Sequence, residues 1–210
     1  MAKTSMVITI GRQYGSGGRV VGRKLAERLE IPYYDKELLA EAAKESGIGQ
    51  ELFEDHDEKP TRSFLFSLVM GVQGRMEPGG AYLDMPLNHR IFLAQFDAIR
   101  RIAGEGPCVI VGRCADYVLR DRDNVVNVFI KADMRHRVDR AVSLGADPAK
   151  AEDIVRRADK QRASYYNYYA TTTWGDVTNY DLCLDTGKLG YDGAVELLCE
   201  YLKLRERIAP

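Results

Sequence analysis

A three-layer α/β domain on a parallel sheet is the fold class this sequence predicts, and three observations predict it. Five short apolar runs alternate with helical stretches along 210 residues. A strand, a glycine-rich turn, a helix and a second strand follow one another near the N-terminus within about thirty residues, which is the βαβ signature. The composition, 45% hydrophobic and 29% charged, suits one packed core in a single domain spanning 1–210.

Each element has its own warrant. Residues 6–10 (MVITI) form a β-branched run that stops at Gly11, a buried strand. The loop from Gly11 to Gly18 follows. Val21, Leu25 and Leu29 then recur at i, i+4 and i+8 between charged residues, one apolar stripe of a helix. Residues 31–34 (IPYY) read as a second strand, and Asp35 is placed to cap a helix over 36–46. The stretch 47–86 changes character: acidic at 51–59, apolar at 64–69, a Glu-Pro-Gly-Gly loop at 77–80. It reads as an insertion over the core, open between an acceptor lid and a dimer surface. Residues 88–103 are a helix carrying Ile91, Phe92, Phe96, Ile99 and Ile102, ended by Gly104. Residues 107–111 (PCVIV) are a third strand, ending at Gly112-Arg113, and 125–130 (VVNVFI) a fourth. A helix over 134–144 is stopped by Gly145, and a long Arg- and Tyr-rich helix spans 148–169. Residues 180–184 (YDLCL) make the fifth strand, followed by Asp185-Thr186, and 191–207 an amphipathic closing helix.

Composition narrows the function classes. Thirty basic residues balance thirty-one acidic ones, so the chain is not a nucleic-acid coat protein. Its apolar runs are too short to span a membrane, and the N-terminus lacks a signal-peptide pattern, so a cytoplasmic location is expected. The four cysteines (108, 114, 183, 199) form no Cys-x-x-Cys pair and read as reduced thiols in the core. His56, His89 and His136 are too scattered for a local metal motif.

Ligands of such sheets bind beyond the carboxyl ends of the strands, so the residues just after each strand are the candidates. After the first comes Gly15-Ser16-Gly17-Gly18-Arg19, opening a helix. Glycines let backbone N–H groups approach an anion, and the helix N-terminus adds partial positive charge. This is a phosphate cradle in form. After the second strand stands Asp35, read equally as a helix cap and as a ligand contact. After the third stands Arg113, a cation behind four apolar residues with few structural reasons to be there, and so a phosphate contact. The helix over 148–169 holds Arg156, Arg157, Asp159, Lys160 and Arg162, open between a solvated face of i, i+4 pairs and a lid whose arginines close on phosphates. Its tyrosines at 165, 166, 168 and 169 are too many for one core face. Some would stack on a base or a hinge, or all would pack beneath the lid.

The segments ITIGRQYGSGGR, YYDKELL, VIVGRCADYVL and NYDLCLDT, in this order, resemble the cytidylate kinase-like family of P-loop nucleoside monophosphate kinases. The resemblance runs over nearly the whole chain. It implies a five-stranded parallel sheet in the order 2-3-1-4-5, an acceptor-binding insertion at about 36–100 and a lid at about 148–175. It also implies transfer of the γ-phosphoryl group of ATP, with Mg²⁺, to CMP, dCMP or a related small acceptor. Its partners would be small nucleotides, with no nucleic acid or membrane, and a homo-oligomer is left open.

Carried over residue by residue, the resemblance places Gly15, Ser16, Gly17, Gly18 and Arg19 on the ATP phosphates and Asp185 and Thr186 near the adenine edge, a segment that from its residues alone reads equally as a turn after the fifth strand. It places Asp35, Arg113, Asp116 and Asp159 toward the acceptor, with Arg157 and Arg162 in the lid.

The chain also departs from the pattern. The usual loop is G-x-x-x-x-G-K-[ST], yet here Gly18 stands where the lysine belongs and Val20 falls close to the place of the Mg²⁺-binding hydroxyl. Arg19 is the expected substitute cation and Ser16 the expected substitute hydroxyl. Cys114 replaces the aspartate that follows the arginine in ordinary cytidylate kinases. Three classes therefore stay open: a nucleoside monophosphate kinase, a P-loop kinase of another small acceptor, and a nucleotide-binding module that lost catalysis with its lysine.

Overall fold

A computed structural model describes residues 4–35 and 87–208. The helix expected over 36–46 and the insertion expected over 47–86 lie outside the described residues. β1 (Val7–Arg12) is the centre of a parallel sheet, paired with β3 (Val109–Val111) on one side and β4 (Val125–Lys131) on the other. β2 (Tyr33–Tyr34) joins outside β3, and β5 (Leu182–Asp185) outside β4. The strand order is 2-3-1-4-5, as the resemblance implied.

A parallel sheet needs crossover helices, and these cover both faces. On one face, Ile8, Ile10, Val109, Val111, Val126, Val128 and Ile130 pack against α1 (Gly18–Leu29) and the closing helix α6 (Thr186–Ile208). On the other face, Val7, Ile110 and Val125 meet α2 (Leu87–Glu105) and the short α3 (Ala115–Val118). The alternation along β1 therefore divides its side chains between two cores. Val7 goes one way, and Ile8 and Ile10 go the other. α4 (Met134–Ser143) and α5 (Ala151–Tyr169) pair with each other through Val138, Ala141, Ala151 and Val155, and Tyr14 packs on that pair.

Two elements differ from the sequence reading. α3 is a single turn too short to leave a periodic signal. α6 starts at Thr186 rather than at 191, but it breaks at Gly190 (φ 66°), so the regular helix does begin where the periodicity begins. The first turn, Thr186-Gly-Lys-Leu-Gly190, is glycine-rich and weakly helical on its own. Cys108, Cys114 and Cys199 are buried, Cys183 is half-buried, and all four are free thiols, matching the sequence reading. Burial pushes the Cys108 thiol up to about 12. Among the described residues, no helix is long and apolar enough to cross a membrane.

Candidate phosphate-transfer site

The C-terminal edge of the sheet carries the candidate site. The loop between β1 and α1 bends through two left-handed glycines, Gly15 (φ 77°) and Gly17 (φ 79°). Both are also pressed by their own chain. A Cβ at 15 would lie 2.5 Å from the Arg137 carbonyl oxygen, and one at 17 would lie 2.2 Å from the Tyr191 ring. Gly17 is the N-cap of α1, where no side chain caps the helix and no acidic residue sits in the first turn. The amides at that end thus keep the partial positive charge that attracts an anion.

The loop is buttressed from below. Ser16 is fully buried, and its hydroxyl lies 2.8 Å from the Gln13 carbonyl and 3.0 Å from that of Ile130. The Thr186 hydroxyl donates to the Ser16 carbonyl at 2.6 Å. The Gln13 side chain accepts from the Ala132 amide at 3.2 Å. Ser16 was expected to lend its hydroxyl to Mg²⁺. The structure instead turns it into the core, with its proton directed at backbone carbonyls. Thr186 likewise works as a brace between loop and sheet. Asp185 pairs with Lys131 at 2.8 Å, and that amine holds its carboxyl below the ordinary range.

After β3 the backbone makes a left-handed turn through Gly112 (φ 78°), Arg113 (φ 54°) and Cys114 (φ 55°). Two consecutive non-glycine residues in that region store strain, about 1–3 kcal/mol each. The turn aims Arg113 under the sheet edge, where its side chain is wholly buried. Its guanidinium donates to the Val111 carbonyl at 3.1 Å and pairs with Asp35 at 3.2 Å. Asp35 is itself clasped by Arg19 at 2.7 Å. Asp35 thus positions two arginines. Arg19, with 47% of its side chain exposed, points to Asp35 and does not line the cleft.

That cleft opens over Gly11 and brings together Arg113, Arg162, Asp116 and a residue the sequence reading overlooked, Arg12. Arg162 reaches from α5 to donate to the Arg12 carbonyl at 3.2 Å and lies 5.6 Å from the centre of the Tyr14 ring. Asp116 accepts from the Tyr166 hydroxyl at 2.7 Å. Burial raises its pKa above the usual carboxylate value, with the tyrosine hydrogen bond opposing the shift. Burial also raises the Tyr166 and Tyr180 phenols, with Asp116 adding to both.

The expected lid helix divides in two. Its tyrosines pack in the core, and Tyr165 and Tyr166 also line the cleft. Tyr165 donates to buried Gln95 at 3.1 Å, and Tyr169 stacks on Phe92 with ring centres 3.9 Å apart. The Tyr166 hydroxyl also lies 3.0 Å from the Thr172 hydroxyl. This half of α5 is docked on α2 and α3. The other half is latched to the loop by Asp159, which accepts the Tyr14 amide at 2.6 Å and pairs closely with Arg137. Asp159 was expected at the acceptor, and the structure gives it to the loop. Arg157 is exposed and lies off the cleft, and Arg156 pairs with Glu152 four residues back. These two lie on a solvated face, while Arg162 lines the cleft. Arg137 left no signal in the sequence, because its role needs α4 and α5 to be side by side.

Comparisons with known proteins bear on the family and the fold. A family model described as the cytidylate kinase-like family matches residues 7–188. The cytidylate kinase of Pyrococcus horikoshii is 24% identical over 202 residues, covering 94% of this chain and 88% of that one. The crystal structure of an uncharacterized protein from Eubacterium ventriosum superposes with a TM-score of 0.69 at 32% identity, over 94% of this chain and 98% of that one. A shikimate kinase from Bacteroides thetaiotaomicron superposes with a TM-score of 0.55 at 16% identity, over 94% and 98%, a likeness of fold alone. With a matched model spanning nearly all of the sheet, its glycine loop and its strand-end arginine, the chain belongs to the cytidylate kinase-like family.

Proposed function

We propose that the protein is an ATP-dependent phosphotransferase that moves the γ-phosphoryl group to a nucleoside monophosphate, CMP or dCMP in the first instance. The observation that carries this reading is the meeting of Arg113 and Arg162 in one cleft over the C-terminal end of β1, the strand whose following loop leads into the uncapped N-terminus of α1. Phosphoryl transfer needs in-line positioning and charge neutralisation more than covalent chemistry. In this reading the loop amides and α1 take the phosphates of ATP. Arg113, locked by Asp35 and the Val111 carbonyl, meets the acceptor phosphate. Arg162 bridges α5 and the loop where negative charge moves during transfer. The acceptor phosphate is already anionic, so no general base is required.

Mg²⁺ would stabilise that charge as a Lewis acid carried in by the triphosphate. The described residues contain no cluster of three or more His, Cys, Asp or Glu side chains that would cage it, and Mg²⁺ commonly rests on phosphate oxygens and water. Ser16, with its hydroxyl committed inward, does not fit as its ligand.

A second reading, a kinase of another small acceptor, is favoured by one feature. Cys114 is buried among Phe92, Tyr165 and Tyr166, so no carboxylate faces the cleft from that position. Coupled ADP formation over a panel of monophosphates separates the readings. Turnover with CMP or dCMP supports the first, and turnover only with other acceptors supports the second. Retained ATP binding without any turnover would defeat both in favour of a non-catalytic nucleotide-binding protein. Arg113→Ala is expected to lower turnover at least about 100-fold, the scale of losing a phosphate-clamping cation, and unchanged turnover would remove Arg113 from the site.

A further inference from the structure

The closing helix α6 is apolar on two sides. Beyond the break at Gly190, its inner side is set by Ala194, Val195, Leu198, Cys199 and Leu202, all buried in the core shared with the sheet and α1. A surface helix needs only that one stripe. A second stripe runs along the outside. Leu197, Tyr201, Leu204 and Ile208 follow at spacings of 4, 3 and 4 residues, the a/d spacing of a helix that packs on another helix. Leu197 is 39% exposed, Leu204 46% and Ile208 76%, and Tyr201 is half-buried. Six large apolar side chains are exposed among the described residues, and three of them stand on this stripe. Scattered exposed leucines need no account, but three in helical register do.

Neither α1 nor the cleft claims this face. α1 lies along the other flank of α6, where Lys24 pairs with Asp192, and Arg28 and Leu29 share a groove with Cys199 and Glu206. Beneath α6 is β5, the edge strand at the opposite end of the sheet from β2. No residue of α6 lines the cleft.

The charges on the helix are divided along its length. Asp192, Glu196 and Glu200 come first, with no basic residue among them. Lys203, Arg205 and Arg207 follow, with Glu206 as the one acid between. Lys24 takes Asp192, Lys203 takes Glu200, and Glu206 accepts the Ser5 amide. Glu196 and Arg207 are left without an ion pair among the described residues. This order complements itself when the helix meets a copy running the other way. About a two-fold axis crossing near Leu202, Glu196 and Glu200 of one protomer lie along Lys203 and Arg207 of its partner, and the two stripes form the seam. A parallel pair would set acid on acid and base on base.

We propose that the outer face of α6 is a self-association surface, on which two copies of this chain pair as antiparallel helices. The stripe from Leu197 to Ile208 is about 17 Å long, so the interface is small and the dimer is a weak one. The inference is independent of the phosphotransferase reading, because the stripe and the cleft share no residue.

The test follows the full-length protein by sedimentation velocity from about 1 to 500 µM, with circular dichroism for folding. A reversible monomer–dimer equilibrium is expected, and it should weaken as salt rises from about 0.05 to 0.5 M. Leu204→Glu and, separately, Leu197→Lys put a charge in the seam. Each should raise the dissociation constant of the dimer at least about tenfold with a native spectrum, and having two such variants covers the case in which one misfolds. Glu196→Arg and Arg207→Glu should each weaken self-association, because like charges then meet across the axis. Mixed together, these two variants should pair with each other about as tightly as the wild type does, and both changes in one chain should restore self-association.

A protein that stays monomeric over the whole range would overturn the proposal. So would a dimer that survives both seam variants, or a trimer or larger assembly. Charge variants whose mixture associates no better than each alone would overturn the antiparallel pairing and the proposal with it.

Discussion

Arg113 carries a full charge on a side chain with no solvent exposure, on left-handed backbone. Desolvating a guanidinium costs several kcal/mol unless charge and hydrogen bonds replace water. Here Asp35 and the Val111 carbonyl do so. Asp35 also holds Arg19, so the loop side and the β3 side of the site share one carboxylate. Substitution of Arg113 therefore costs stability as well as activity, and its effect on turnover has to be read at a temperature where the variant is folded. Asp116 is the opposite case, a carboxyl kept from water with a tyrosine hydroxyl for company. Its folded pKa is raised from 3.8 by burial. The neutral form is thus favoured on folding. This group's contribution to stability is complete below the unfolded pKa and is lost as pH rises through the raised one. Asp116→Asn removes that loss. The difference in melting temperature, variant minus wild type, is expected to become more positive from about pH 4 to pH 7. A difference that stays flat or turns negative over that range would contradict the assignment.

At the scale of elements, α5 decides how the site is held. Its C-terminal half is fastened to α2 by Tyr165 and Tyr169. Nearer its middle it is tied to the glycine loop by Asp159, through both the Tyr14 amide and Arg137. Arg162 lies between these attachments, which is why it reaches the cleft while Arg157 stays in solvent. Removing Asp159 strands a nearly buried guanidinium and a loop amide at once. Asp159→Ala is expected to destabilise by about 2–4 kcal/mol. Arg137→Ala on the Asp159→Ala background should add less than it costs alone, with a coupling of about 1–2 kcal/mol in urea denaturation. Strict additivity would show that the two side chains do not act as a pair.

For the whole molecule, the site sits where the sheet's strand ends, the start of α1 and the latch on α5 come together. A ligand bound there should stabilise the entire fold. ATP at 100 times its dissociation constant contributes about 2.7 kcal/mol. For a chain of this size that corresponds to a rise in melting temperature of about 5–10 °C. Adenosine, lacking phosphates, should give a much smaller rise at equal concentration. Equal shifts would mean that the loop and its arginines do not contact the phosphates.

Much of this was legible in the residues alone. β1, β3 and β4 announced themselves by β-branched runs closed by glycine or a polar residue, and α1 and α2 by their apolar stripes, because burial on a sheet face imposes a local period. Arg113 and the glycine loop stood out for the same reason, since both interrupt such a pattern at a strand end. Tertiary structure decided what each polar residue does there. It turned Ser16 inward, spent Arg19 on Asp35, gave Asp159 to the loop and brought Arg12 into the cleft. Those outcomes depend on partners between 16 and 150 positions away in the chain. A local period records which face is buried. The choice among charged partners is made by whichever group the fold places within reach.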